Sequence, residues 1–586
     1  MSNWNLNSIY ENKEAWEEDL KKIDEYVSYF ETLKDTLNTK EAIENMYIKD
    51  EELGKILEKA YVYASMNYDL NQKDNKKLAD YVKIYEKYSE VVAKTSFITP
   101  ELIKNGEAKF DEWINESPII KQHAYSINKM FRNQKYIFDE KLEYIMANYN
   151  TALNGYSQLY DSLAVADNTS VMVKISTGEE LEINASNFRY YLGVLQNQDD
   201  RRIVFEAVFK FYYDHKNTFA GLYKGIMQSN LAEVKNRKYD SILDSYLYGN
   251  AIPTSVYTSL IEATKKYSEP LKRYNKIRAK YFNLEKVHTY DRFLDFAKSD
   301  KSYTYEQAKE MVLAAMEEFN PDFAKMTAKV LEDGRVDSEI KDGKRTGAYS
   351  TSTFENGPYI LLNHSKTLDD AFTIAHEAGH STHTLFSNEN QPYATANYVI
   401  FVAEIASTFN EQIFLDYMLK HCSDKEEKLS LVAQAIDGLI GTFYRQSLFA
   451  AYEYEVSKRV EEGLSVTSDD LCKVMQDLYL AYYDIDLKDE PYKDCVWAYI
   501  PHLFHTPFYV YQYATSYAAS LALYSKVKNN EENAYEKYLG LLKSGGSDYP
   551  VELVKKAGVD LTNTASFMAV VDRINFLLDE LEELLK

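Results

Sequence analysis

A mainly α fold, with a small antiparallel sheet close to one histidine-bearing helix, is what this sequence predicts. Gly (20) and Pro (11) are scarce for 586 residues, which disfavours a turn-rich all-β design and favours long helices. Apolar residues recur at helical spacing from residue 1 to about 165, as in Trp16, Leu20, Ile23, Val27, Phe30 and Leu33 with charges between them. Two stretches carry strand signals. VMVKISTGEELEI alternates from Val171 to Ile175, turns at Ser-Thr-Gly and resumes at Leu181 to Ile183, which predicts a hairpin near 171–183. DGRVDSEIKDGKRTGAYSTSTFENGPYILLNH is punctuated by Gly343, Gly347, Gly357 and Pro358, and its Tyr359 to Asn363 reads as a short strand. Helices are expected from about 187 to 335 and again from Thr367 onward, broken at Ser544 to Pro550. The expected organisation is an N-terminal helical lobe, 1–186, that includes the hairpin, and a second region, 187–586, that carries the histidine-bearing helix.

Bulk composition narrows the function classes. Hydrophobic residues make up 45% and charged residues 27%, the balance of a globular chain. The net charge of −24 and the absence of a long Lys/Arg run argue against a nucleic-acid partner. MSNWNLNSIYENKEAWEEDL has no basic segment followed by an apolar core, and no apolar run reaches membrane-span length, so a cytoplasmic location without membrane association is expected. Cys422, Cys472 and Cys495 are odd in number and widely spaced, and read as reduced packing residues. With 52 tyrosines, no single Tyr stands out without further evidence.

The strongest local signal is LDDAFTIAHEAGHSTHTLF. Thr367 followed by Asp370 fits a capping box at its start. On a helical wheel Leu368, Ala371, Phe372, Ile374, Ala375, Ala378, Leu385 and Phe386 share an apolar face. His376, His380 and His383 share another, with Glu377 at its edge. Residues four apart stack on a helix, so His376 and His380 can reach one Zn²⁺ at about 2.0–2.1 Å. Glu377, rotated by about 100°, reaches a water beside the metal without ligating it. Gly379 allows a second backbone to approach. His383 is expected in a supporting or surface position, since the longer HExxHxxGxxH pattern is absent.

A third protein ligand is needed if one position is to stay open for water. In YVIFVAEIASTFNEQIFLDYML, Glu404, Ser407 and Glu411 form one narrow polar stripe on an otherwise apolar helix. A carboxylate there is expensive to bury unless it is paired or on a metal. Glu404 is therefore the candidate third ligand, and Glu411, two turns on, the candidate partner that orients a ligand imidazole. The competing reading of Glu404 is a solvated stripe on an amphipathic helix.

At these residues the chain resembles the oligoendopeptidase F family, within the larger thimet-oligopeptidase group of zinc peptidases. The resemblance is carried by GAYSTSTFENGPYILLN (347–363), LDDAFTIAHEAGHSTHTLFS (368–387), QPYATANYVIFVAEIASTFNE (391–411), IPHLFHTPFYVYQYATSYAAS (500–520) and GGSDYPVELVKKAGVDL (545–561). It implies zinc ligation by His376, His380 and Glu404, with Glu377 as catalytic base. Ala378 departs from the family's usual Leu on the side away from the ligands. The resemblance also implies an oxyanion donor near residue 500, with Tyr513 and His502 leading and Tyr509 next. Thr506-Pro507 reads as an N-cap followed by Pro at the first helical position, with Tyr509 and Tyr513 one turn apart on the helix and Tyr511 pointing elsewhere. An elongated helical body split by a deep channel with zinc at its floor, admitting short unfolded peptides, is likewise what the resemblance implies. The strand at Tyr359 to Asn363 is expected to offer an edge on which a substrate pairs.

The expected chemistry is peptide-bond hydrolysis with one Zn²⁺, cobalt or manganese being able to substitute. Two rivals stay open at this level: an exopeptidase trimming dipeptides from C-termini, and a non-catalytic peptide-binding protein that holds zinc. Cleavage-site preference and oligomeric state are not legible in the residues.

Overall fold

Lys13–Glu31 illustrates how the chain builds its helices. The Asn12 side chain accepts from the Ala15 N–H to close the first turn. Trp16, Leu20, Ile23, Val27 and Phe30 then bury one stripe at three- and four-residue spacing. That stripe packs on the helix Lys40–Asp69, where the Trp16 indole N–H donates to the Ala60 carbonyl at 3.0 Å. The computed structural model describes residues 3–297 and 301–586, and the regular structure there is almost entirely helical. These residues form two compact units, each assembled from three stretches of chain: 3–135, 301–418 and 526–558 in the first, and 136–297, 419–525 and 559–586 in the second. Among the described residues no helix is long and apolar enough to cross a membrane.

The second unit contains the hairpin, β1 (Val171–Lys174) and β2 (Glu180–Ile183), paired from Val171↔Ile183 to Lys174↔Glu180. Only β2 alternates cleanly, burying Leu181 and Ile183. In the same unit Cys472 and Cys495 lie with their Sγ atoms 3.5 Å apart, close to the Asp494 carboxylate. Spacing alone does not bring these two cysteines together. Asp494 is engaged by the Gln476 amide at 3.1 Å.

The first unit contains a three-stranded sheet of β3 (Val336–Asp337), β4 (Tyr349–Thr353) and β5 (Gly357–Leu361), in the order β3-β5-β4. β4 and β5 are antiparallel, from Tyr349↔Leu361 to Thr353↔Gly357, while β3 runs parallel to β5 at Val336↔Ile360 and Asp337↔Leu361. This corrects the expectation that the Tyr359 strand offers an edge. β5 is central, Tyr359, Ile360 and Leu361 are fully buried, and among the described residues the edge strands are the two-residue β3 and the longer β4. Lys344 pins the sheet from within. Its buried ammonium donates to the Asp337 carboxylate and to the Glu339 and Leu362 carbonyls, each at 2.6 Å. Removing either member of such a buried, fully hydrogen-bonded pair costs about 3–5 kcal/mol. On this sheet lies the helix Leu368–Asn390, which also packs against Tyr305–Phe319, Pro321–Val330 and Ala534–Lys543.

Candidate metal centre

The helix Leu368–Asn390 begins as its sequence predicts. Thr367 accepts from the Asp370 N–H at 3.2 Å, and the Asp370 carboxylate accepts from the Thr367 N–H at 2.8 Å. Ala371, Ile374, Ala375 and Ala378 are fully buried, which turns His376 and His380 toward the helix Ile400–His421. Gly379 sets how closely the two helices cross. A Cβ there would stand 2.6 Å from Ser407 Cα and 2.7 Å from the Ala406 carbonyl oxygen, so any side chain would push the helices apart. Farther along, Gly545 adopts φ +51° where a Cβ would lie 2.3 Å from the Thr395 carbonyl oxygen. The Gly546 N–H donates to that same carbonyl at 2.8 Å, holding the segment that leads into the Glu404 helix.

The crossing brings three ligand atoms together. His376 Nε2 and His380 Nε2 are 3.1 Å apart, and Glu404 Oε2 is 3.5 Å from each. Tetrahedral ligands at about 2.0–2.1 Å from one ion stand about 3.3–3.4 Å from one another, so this triangle has the size of one face of such a site. The donor set agrees with the geometry. The Glu411 carboxylate accepts from His376 Nδ1 at 2.5 Å, which in the neutral imidazole leaves Nε2 as the acceptor facing the triangle. The ring of His380 bonds the Ala403 backbone, and the Ser407 hydroxyl donates to Glu404 Oε2 at 2.9 Å. Two imidazoles and a carboxylate that converge in this way fit a divalent cation such as Zn²⁺.

Protons compete poorly for both rings at once. Burial works against a charge on His376, but the Glu411 bond and then Glu377 and Glu404 outweigh it and lift the imidazole to about 9. Burial and then the neighbouring His376 push His380 down to about 4. Glu377 is 7% exposed and follows His376 as expected. It accepts from the Ser350 backbone N–H of β4, and its Oε2 is buried without a hydrogen-bond partner. Burial raises its carboxyl to about 7, His376 opposing the shift and Glu404 and Glu411 adding to it. A carboxyl near neutrality with one oxygen uncommitted can both take up and release a proton.

His383 does not support the ligands. It is 1% exposed and stacks on Tyr398 with ring centroids 3.7 Å apart, and burial pushes it down to about 3. Ser350 and Ala403, by contrast, act through backbone groups. Side-chain patterning carries no signal for them, and only the packing of β4 and of the second helix reveals them.

In the second unit His502, Tyr509 and Tyr513 come together. Ring centroids are 6.4 Å apart for His502 with either tyrosine and 5.5 Å for Tyr509 with Tyr513. Burial and then His505 hold His502 below its ordinary value. The backbone corrects the predicted capping pattern. His502–His505 is a short helix, Thr506 follows its end, and the next helix starts only at Tyr511. Tyr509 therefore precedes that helix. Phe508 sits at φ +57°, outside the helical region, with its N–H donating to the buried Glu453 carboxyl at 2.7 Å. His505 turns away to Asp161 Oδ1 at 2.9 Å, and Tyr511 is buried against Tyr257.

Residues 193–572 match the profile of Peptidase family M3, and residues 101–169 match that of Oligopeptidase F. Oligopeptidase PepF of Bacillus subtilis is 31% identical, over 99% of this chain and 87% of its own length. A solved structure from Chlamydophila abortus superposes with a TM-score of 0.92 at 31% identity, over 99% of this chain and 98% of that one. The crystal structure of oligoendopeptidase-F from Enterococcus faecium superposes with a TM-score of 0.74 at 27% identity, over 98% of this chain and 99% of that one.

Proposed function

This chain belongs to peptidase family M3, and we propose that it is a cytoplasmic zinc endopeptidase that hydrolyses internal bonds of short, unfolded oligopeptides. The observation that carries the reading is the triangle of His376, His380 and Glu404 with the half-committed carboxyl of Glu377 beside it. His376, His380 and Glu404 would hold one Zn²⁺ per chain. When bound, the ion supplies Lewis acidity, which acidifies water and polarises the scissile carbonyl. Glu377 takes the proton of the attacking water at its uncommitted Oε2 and hands it to the leaving amine. The Ser350 N–H keeps that carboxyl in place, and Glu411 holds His376 in the tautomer that leaves Nε2 free for the ion. The catalytic region is 187–586. Within it Tyr513 and His502, with Tyr509 next, donate to the oxyanion, a role that rests on the likeness of 500–520 to the oligoendopeptidase F family. The free side of β4 gives a substrate backbone a strand to pair with, next to the residue that orients Glu377.

The test is cleavage of internally quenched peptides with both ends blocked, using wild type and Glu377→Gln. Wild type is expected to cut them and to stop on chelation. Glu377→Gln should keep its zinc in elemental analysis and lose about 10²–10⁴-fold in kcat. Cleavage restricted to peptides with a free C-terminus would turn the reading into a dipeptide-releasing exopeptidase. Near wild-type turnover by Glu377→Gln would remove the mechanism.

A further inference from the structure

In the second unit a cavity of about 330 Å³ opens between the helices Glu269–Tyr281, Lys425–Leu439 and Ser468–Tyr483. That is the size of a small-molecule site. Its lining holds four cations, Arg278, Arg292, Arg445 and Lys493, against two carboxylates, Asp295 and Asp437. Arg278 is already engaged, donating to the Asp291 and Leu294 carbonyls at 2.8 and 2.6 Å. Asp437 is bonded by Tyr274 and lies in the field of Arg278 and Arg292.

The other three cations stand differently. Among the described residues, none of Arg292, Arg445 and Lys493 has a carboxylate within ion-pair distance. Lys493 is 5% exposed, and its ammonium lies over the rings of Phe209, Phe205 and Tyr479 at 4.8, 5.2 and 5.7 Å. Arg292 lies over Phe293 at 4.4 Å, and Arg445 bonds the Tyr479 hydroxyl. Burial, then repulsion from Arg445, holds the Arg292 guanidinium at about 10, and burial followed by the two arginines holds Lys493 well below its ordinary value.

Asp295 and Asp437 share the lining and the buried Glu490 lies in the field of Lys493, yet the cations outnumber the carboxylates of the lining and these three are held without an ion pair. Buried cations are costly unless something neutralises them. A compact dianion meets that need, because two guanidinium groups and an ammonium that line one cavity can bond a single group of that charge. Leu271, Ile440 and Ile485 supply an apolar wall beside it. We propose that this cavity binds the phosphate group of a small molecule, free or as a monoester, at Arg292, Arg445 and Lys493.

The experiment is calorimetric titration and thermal unfolding of the full-length, zinc-loaded protein at low salt with phenyl phosphate, inorganic phosphate and succinate. Phenyl phosphate or inorganic phosphate is expected to raise Tm by about 2–5 °C at saturation. Tighter binding of phenyl phosphate identifies an ester ligand, and equal binding identifies the free ion. The double variant Arg292→Gln, Arg445→Gln is expected to lose at least about tenfold in affinity. Without ligand it should unfold no earlier than wild type, because a repulsion has been removed. Lys493→Met, whose apolar chain fits the same rings, gives a second variant with the same expected loss. The proposal is overturned if neither phosphate binds wild type, if the variants bind as wild type does, or if succinate binds as tightly as phenyl phosphate. Binding is read without turnover, so the result is independent of the peptidase reading.

Discussion

Two segments carry the candidate chemistry, and they are built by opposite means. Leu368–Asn390 is one unbroken helix whose periodicity puts His376 and His380 on one face, and a single close crossing at Gly379 adds Glu404. Residues 502–513 are a short helix, a turn through the left-handed Phe508 and the start of a second helix, and the rings of His502, Tyr509 and Tyr513 meet across that break. The first arrangement is held by backbone geometry that any reader of a helical wheel can draw. The second is held by a tertiary contact, the buried Glu453 carboxyl on the Phe508 N–H. Side chains on regular helices are therefore placed readily by spacing, whereas rings on a broken segment are not.

If the two segments divide the work as proposed, variants should separate them. Tyr513→Phe removes one hydroxyl from the broken segment and is expected to lower kcat about 10²–10³-fold, as loss of an oxyanion donor does, with zinc content unchanged. A drop in zinc content in that variant would break the division. Gly379→Ala places a methyl group against Ser407 and should cost about 1–3 kcal/mol in chemical denaturation, with zinc occupancy falling as Glu404 is pushed from the histidines. Full occupancy with unchanged stability would mean that the crossing does not set the site. Glu411→Gln keeps the shape of the His376 partner but removes its charge, and is expected to weaken zinc about 10–100-fold in chelator competition. The smallest effect is at Thr367→Ala. Loss of the cap should cost about 1 kcal/mol in thermal unfolding and leave kcat alone, because the hydroxyl only starts the helix.

The histidine helix was legible down to its cap. Thr367 and Asp370 form the predicted box, and of the expected apolar face Ala371, Ile374, Ala375, Ala378 and Phe386 are buried while Leu368, Phe372 and Leu385 are half-buried. The stripe of Glu404, Ser407 and Glu411 was legible as a stripe, but its division of labour was not. Ser407 holds the Glu404 oxygen and Glu411 holds His376, and both facts depend on the angle at which two helices cross. The strand at Tyr359 was legible as a strand, yet its place at the centre of the sheet depends on the two-residue β3, too short to leave a pattern. Thr506-Pro507 carried the residues of a helix start, and tertiary context overrode them through a positive φ two residues from Thr506.

By itself, then, the sequence determined what repeats along the chain: helices, their apolar faces, and a pair of histidines four residues apart beside a carboxylate. Those follow from the 3.6-residue period of the helix itself. The tertiary structure alone decided what converges from distant stretches. Ser350 reaches Glu377 across 27 positions of sequence, and Arg292, Arg445 and Lys493 gather at one cavity from widely separated parts of one unit. Such meetings depend on crossing angles and strand order, which are set by packing the whole core and leave no periodic trace in any one segment.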